Sequence, residues 1–458
     1  MTFRLKRRAV LLRDLRETLA LALPLIAGQL ALFSQHLVDV VLAGHLGARV
    51  LGIVAIGTNA WGVVMMAIVG VMMALPPGVA QLDGAGRRGE VVGLFRQAVW
   101  LALGLGVVMQ QVAWWGAPLV LALLGIAPDL VSDTVDFIRV LSFAAPATAL
   151  FCACRGLTDG VSRPRVSLGF GLLGLAVLAP LGWAMMYGRL GLPPMGAMGC
   201  AWANLIAMWV AALAYLGFVR FSPVTRDLGW GGGGVAPRWA AIMALLRVGT
   251  PMSVCVVLEA AVFATAGLVI ASFGEVAIGS HQIAMNVAAL SFMIPLGLSM
   301  AVTVRVGNAV GRGDPVGMRR AGLVGVATAL ITQSVPAGLM LLIPAQVASL
   351  YTNDPALIAS AATLLTLAAI FQLSDGVQVA SMGALRGLKD TRIPMFIAAF
   401  SYWGIGMPTG WVLTFPVGLG ISGMWFGLIA GLTCAALLLT LRFHLRSRRR
   451  VAMLALAV

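Results

Sequence analysis

Stretches of twenty or more largely apolar residues recur along the whole of this 458-residue chain. A helix of that length spans the roughly 30 Å hydrocarbon layer of a bilayer, where every backbone polar group must find its partner inside the segment. Twelve such stretches are centred near residues 30, 64, 104, 143, 176, 207, 257, 291, 331, 370, 404 and 430. Only 10% of the residues are charged, against about 25% in soluble domains. The ten-residue alternation of a transmembrane barrel is absent. The pattern predicts an all-α polytopic membrane protein with twelve transmembrane helices.

Half of the chain is a diverged copy of the other half. Ala153-Cys154-Arg155-Gly156-Leu157-Thr158-Asp159 reads against Ala384-Leu385-Arg386-Gly387-Leu388-Lys389-Asp390 as a shared R-G-L-x-D, each followed by basic residues and a proline. Ile56-Gly57-Thr58-Asn59 matches Ile283-Ala284-Met285-Asn286, and Gly84-Ala85-Gly86-Arg87 matches Ala309-Val310-Gly311-Arg312. The offsets are 231, 227 and 225 residues, about half the chain. Duplication in so apolar a sequence marks a transporter built from two bundles around a central path.

The clearest linker is Phe221 to Trp239, where Gly231 to Gly234 lie between Pro223 and Pro237 and read as a flexible tether. The expected organisation is an N-terminus over 1–16, six helices over 17–220, the linker 221–239, six helices over 240–442 and a basic tail over 443–458. An even number of helices per half makes the two repeats parallel, and such a pair is expected to enclose a V-shaped central cavity.

The net charge of +15 is distributed by side rather than clustered into a nucleic-acid surface. Only Arg49, Arg139 and Arg189 fall near the loops of one side. The remaining basic residues gather at the N-terminus, after every second span, in the linker and in the tail from Arg446 to Arg450. This is the positive-inside pattern, with both termini cytoplasmic and no nucleic-acid partner. The tail is expected to anchor to anionic lipid. With only two lysines, Lys6 and Lys389, among 31 basic residues, the usage suits a GC-rich bacterial genome and hence a bacterial inner membrane. The five cysteines lie in or at the ends of spans and read as packing residues. No Walker motif offers an ATP site. The four histidines, His36, His45, His281 and His444, are scattered, so no enzyme constellation is expected and no cofactor.

Nearly all of the 16 acidic residues lie in loops, but Asp39, Glu259 and Asp375 fall within the first, seventh and tenth spans. A carboxylate near the bilayer centre costs about 2.5–3.5 kcal/mol on insertion scales, so each needs a partner, a water cavity or a bound cation. No Lys or Arg is expected at matching depth, which favours a cation or a proton. Gln372, Asp375 and Gln378 form a polar stripe on one helix face, flanked by Phe371 and Met382. His36 lies three residues before Asp39 and Gln35 four before it, so a His–Asp pair sharing a proton is expected. Asn59 and Asn286 are expected to bond between helices. Met65, Met66, Met72, Met73, Met285, Met293 and Met300, with Trp61 and Phe292, offer a soft surface suited to apolar cations.

Leu23-Pro24, Val38-Asp39-Val40-Val41-Leu42-Ala43-Gly44 and Val79-Ala80-Gln81-Leu82-Asp83-Gly84-Ala85-Gly86-Arg87-Arg88 in the first half resemble the MATE multidrug efflux transporters of the NorM branch. The second half agrees at Pro251 and Glu259, His281-Gln282-Ile283-Ala284-Met285-Asn286, Arg305-Val306-Gly307-Asn308, Ser374-Asp375 and Leu385-Arg386-Gly387. The resemblance implies cation-coupled export of drugs or other organic cations. It also implies a second-half cation site at Glu259 and Asp375, a candidate for Na⁺, and a first-half site anchored by Asp39. Two departures stand out. The fifth span, Ala176 to Trp183, lacks the asparagines that often face the first-span aspartate, and Phe371 replaces a frequent tyrosine. The first-half polar network is therefore expected to be thin, unless Gln35 and His36 fill it.

The expected function is a monomeric secondary antiporter that exchanges Na⁺ or H⁺ for hydrophobic, often cationic, compounds. The alternative is a lipid-linked oligosaccharide flippase of the same superfamily, which would line its cavity with Arg or Lys to hold pyrophosphate.

Overall fold

A computed structural model describes residues 2–123, 128–228, 230 and 236–456. The Gly231 to Gly234 tether lies outside the described residues. The described residues are helical throughout, with no strand. Ten helices are long and apolar enough to cross a membrane, and a pair bent by 41° makes an eleventh span.

In chain order the spans are α1 (Thr2–Gly44), α2 (Ala48–Met72, continued by Leu75–Gly84) and α3 (Val91–Leu123). The bent pair is α4 (Pro128–Ser142 and Ala145–Gly160), followed by α5 (Pro164–Tyr187) and α6 (Ala197–Phe221). The second half supplies α7 (Trp239–Ala271), α8 (Glu275–Gly311), α9 (Pro315–Leu342) and α10 (Pro355–Gly387). The last two are α11, a twelfth, segmented helix outside those eleven (Arg392–Ala399, Phe400–Gly406 and Met407–Thr414), and α12 (Ile421–Leu456). The middle segment of α11 is a π-helical turn, a wider winding found mostly as a local bulge and often at functional sites.

The described chain forms two compact units, but they are not bounded by the linker. One comprises Ala27–Ser253, and the other Met1–Ile26 together with Val254–Val458. The first 26 residues thus pack with the second half, and the opening turns of α7 pack with the first. Residues 2–16, within the stretch expected to precede the first span, are helical and continuous with α1, because no Gly or Pro interrupts the sequence before Pro24.

Close glycine contacts explain the exchange. A side chain at Gly70 of α2 would sit 2.4 Å from Ser253 Cα of α7, and one at Gly297 of α8 would sit 2.7 Å from Ile26 N of α1. Both pairs are related by the 227-residue offset, so the duplicated halves make the same contact twice. Absence of a side chain lets the helices approach backbone to backbone, the usual basis of tight packing in lipid. In the first-half unit Ser253 also donates to Ala67 O at 3.1 Å, and Ile242 and Leu245 join the core. In the second-half unit Ala22 and Leu25 are buried in the core.

The first 26 residues are also held by charge. Asp14, 5% exposed, accepts from Arg305 of α8 at 2.8 Å and pairs with Arg320 of α9. Arg305 further binds Glu17 at 2.8 Å and the Asp14 carbonyl at 2.7 Å. Asp14 is a buried acid that a count of acids within apolar runs overlooks, since it sits in a charged stretch.

Candidate functional site

In the first-half unit Asp39 projects from α1 and is 5% exposed. Its partner is Asn204 of α6, whose Nδ2 donates to Oδ1 and Oδ2 at 3.0 Å each and also reaches the Cys200 carbonyl at 3.0 Å. Gln35, one turn earlier on α1, donates weakly to Gly171 O of α5 at 3.4 Å. Gln35 and Asn204 line one cavity of about 20 Å³, the size of a single water site. The first-half polar network is therefore not thin, and α6 supplies the amide that α5 lacks.

The expected His36–Asp39 pair does not form. Three residues along a helix turn the side chain about 60° from the starting direction. Asp39 points at α6, while His36 is exposed. Asn59 and Asn286 are exposed as well, and Asn286 donates to Gln282 O of its own helix at 2.9 Å rather than across helices. Of the methionine-rich surface, Met72 and Trp61 are buried in the first-half core, whereas Met66 is 39% exposed.

In the second-half unit five helices bring polar groups together. Asp375 of α10 is 3% exposed, and Gln372 and Gln378 on the same stripe are 0% and 2% exposed. Gln378 Nε2 donates to the Tyr402 hydroxyl of α11 at 2.6 Å. Gln372 accepts from Gln333 of α9 at 2.6 Å and donates to Ala288 O of α8 at 2.8 Å. Glu259 of α7 is half-buried and is an electrostatic neighbour of both the Tyr402 hydroxyl and Asp375. Among the described residues Asp375 Oδ1, Gln378 Oε1, Gln333 Oε1 and Ser401 Oγ are buried with no hydrogen-bond partner. Buried acceptors of this kind are costly unless something positive or protic meets them. Among the described residues no three His, Cys, Asp or Glu side chains converge as a metal-ligand cluster. Any ion held here would take carboxylate, amide and hydroxyl oxygens together, which suits a hard monovalent cation or a proton.

Tyr402 was not among the residues that the sequence singled out. It is carried by the π turn of α11, with Ser401 and Tyr402 both buried. That turn is pressed against α12, where a side chain at Gly427 would meet Gly410 Cα at 2.3 Å and Gly406 O at 2.6 Å. Phe371, by contrast, belongs to an aromatic core. Its ring lies 5.8 Å from Phe263 and 5.9 Å from Trp425, and it is 3% exposed. The phenolic oxygen missing at Phe371 is supplied from α11.

A basic group, Arg386, lies near Glu259, although it stands about 16 Å further along α10 than Asp375 and so not at that acid's depth. Arg386 follows Asp375 by eleven residues, within about 20° of the same helix face. It is 8% exposed, donates to Ser299 Oγ of α8 at 3.3 Å, and has Glu259 as an electrostatic partner. The duplicated R-G-L-x-D explains its availability. In the first copy Arg155 binds its own Asp159 at 3.3 Å and Gln29 at 2.7 Å. In the second copy Asp390 is taken by Arg442 at 2.7 Å and Arg446 at 3.5 Å, both of α12. One motif closes on itself, while the other divides its charges between two neighbourhoods.

The MatE family profile matches residues 24–185 and 251–412, so both matches begin at the prolines that precede the unit boundaries. The chain is 46% identical over 445 residues to a probable multidrug resistance protein NorM of Xanthomonas campestris pv. campestris, with 96% of each chain covered. It is 40% identical over 440 residues to the multidrug resistance protein PmpM of Pseudomonas aeruginosa, covering 95% of this chain and 92% of that one. In fold it is similar to a crystal structure of a MATE transporter in the bent conformation, with a TM-score of 0.88 at 19% identity over 97% of this chain and 98% of that one. It is likewise similar to the eukaryotic MATE transporter AtDTX14, with a TM-score of 0.85 at 18% identity over 96% and 98%. The duplicated architecture, the buried acids and these likenesses converge: the chain belongs to the MatE family of twelve-helix, two-lobed transporters, alongside the NorM multidrug resistance proteins.

Proposed function

We propose that this transporter is a secondary antiporter that exports hydrophobic, often cationic, compounds in exchange for Na⁺ or H⁺ across a bacterial inner membrane, with both termini cytoplasmic. The observation that carries the reading is the Glu259–Asp375–Tyr402 cluster with its unpartnered buried oxygens. The names of the relatives supply the drug substrates, and the buried acids supply the coupling.

Charge balance makes the mechanism specific. Glu259 and Asp375 ionised, with Arg386 protonated, leave one net negative charge in the second-half site. One monovalent cation neutralises it. Bound Na⁺ or H⁺ removes the attraction for a cationic drug, which leaves outward, and release of the ion inward restores that attraction. Each elementary charge crossing about 100 mV supplies roughly 2.3 kcal/mol, to which the chemical gradient adds. Asp39 with the neutral Asn204 offers a separate single-charge site in the first-half unit. Each site is complete within one chain, which suits a monomer.

The test is ethidium uptake into everted vesicles, whose lumen corresponds to the cell exterior, under an imposed outward Na⁺ gradient and, separately, an imposed outward H⁺ gradient. Uptake under at least one gradient is expected, with loss in Glu259→Gln and Asp375→Asn. Uphill export that survives Asp375→Asn would refute charge competition at this site.

A further inference from the structure

The second-half unit carries a groove that this coupling chemistry does not use. It opens between α11 and α12, has a volume of about 240 Å³, and is walled by Ile397, Leu441 and Leu445 with Arg442, Arg446 and Arg449 at one end. On α12 the leucines and arginines alternate in steps of three and four, so one helix face changes from apolar to basic along its length. Leu441 and Leu445 are 53% and 49% exposed. At 36 residues α12 is about 54 Å long. That exceeds the roughly 30 Å hydrocarbon layer, so its basic last turns reach the headgroup level.

The basic end is preorganised. Asp390, at the end of α10, is shared by Arg442 at 2.7 Å and Arg446 at 3.5 Å, which fixes two guanidinium groups against one carboxylate. Arg442 Nε is buried without a hydrogen-bond partner, and Arg449 enters no ion pair among the described residues. Three positive charges against one negative leave two for an anion.

We propose that this groove binds an anionic glycerophospholipid, its phosphate on Arg442, Arg446 and Arg449 and one acyl chain along Ile397, Leu441 and Leu445. A headgroup alone would not need the apolar wall, and an acyl chain alone would not need three arginines. Juxtamembrane basic residues contribute about a factor of five each toward an anionic surface, so removing two should weaken binding on the order of thirtyfold.

The purified full-length transporter is melted in neutral detergent with added phosphatidylglycerol, phosphatidylcholine at the same mole fraction, or inorganic phosphate. Binding of each lipid is counted by native mass spectrometry. The expected result is a higher melting temperature and one retained lipid with phosphatidylglycerol only. Arg446→Gln/Arg449→Gln should lose both effects, and Arg448→Gln/Arg450→Gln, an equal change of charge at two residues that do not line the groove, should keep them. Equal effects of phosphatidylcholine would reduce the groove to an unselective acyl slot, and equal effects of phosphate would reduce it to an anion site. Either result overturns the proposal, as does an undiminished phosphatidylglycerol effect in the double variant. None of these readouts requires transport, so the outcome is independent of the coupling reading.

Discussion

Asn204 of α6 bridges both carboxylate oxygens of Asp39 on α1 with a single amide nitrogen, at 3.0 Å each. Among the described residues the amide is therefore the main hydrogen-bond donor to Asp39. Asn204→Leu removes the donor and leaves a buried carboxylate unsatisfied, a loss of about 1–3 kcal/mol. The expected outcome is a lower melting temperature together with reduced efflux, whereas Asn204→Gln retains part of both. Full activity and stability in Asn204→Leu would show that water or another group replaces the amide.

Arg386 sets the charge count of the second-half site, so its removal should change stoichiometry rather than only rate. Wild type is expected to take up one Na⁺ or H⁺ at this site, and Arg386→Gln two. Arg386→Lys should behave as wild type. A double-mutant cycle with Glu259→Gln, read by melting temperature, should be non-additive because each single variant leaves a buried charge without its counterpart. Additive melting shifts and an unchanged uptake of one would refute the pairing.

The two copies of R-G-L-x-D should respond unequally to the same substitution. Asp159→Ala takes the counter-charge from the 15%-exposed Arg155 side chain and leaves it the neutral Gln29, at a cost of about 3–5 kcal/mol. Asp390→Ala strands Arg442, 18% exposed, and Arg446, 54% exposed, and solvent screens much of that loss to about 1–2 kcal/mol. Purified variants should therefore melt in the order Asp159→Ala, Asp390→Ala, wild type, from lowest to highest.

Gly427→Ala would place a methyl group 2.3 Å from Gly410 Cα. Separating α11 from α12 costs about 1–3 kcal/mol as overpacking and shifts the π turn that carries Tyr402. Ion dependence of efflux should change along with stability. Gly104→Ala on α3, where nothing lies within 4 Å, should leave both intact.

Much of this was legible in the sequence, and the reasons for the rest are specific. Asp39, Glu259 and Asp375 stand out because an acid in an apolar run is costly, and that signal is local. Asn204 carries no such signal, since a neutral amide among alanines becomes informative only when α6 is placed beside α1. Tyr402 escapes notice because no residue pattern distinguishes a π turn from a continuous α-helix. Arg386 belongs by sequence to the basic residues that follow a span, yet α10 extends to Gly387 and buries its side chain to 8% exposure. His36 shows the opposite error: spacing of three permits contact, but the face that Asp39 must turn toward α6 carries His36 away. The duplication offered both prolines but not the exchange of helix ends, which arises from Gly70 and Gly297 meeting partners in the other half of the sequence.

That exchange imposes an order on biosynthesis. Asp14 is translated well before its partner, since Arg305, which closes on it, lies 291 residues later. At about 5–20 residues per second the ribosome needs on the order of 15–60 s to cover that interval. The Ala27–Ser253 unit likewise stays unfinished until residues 239–253 have followed the linker through the insertion machinery. A nascent chain arrested at the linker is therefore not half a transporter but two incomplete surfaces, and cellular quality control should meet it as such.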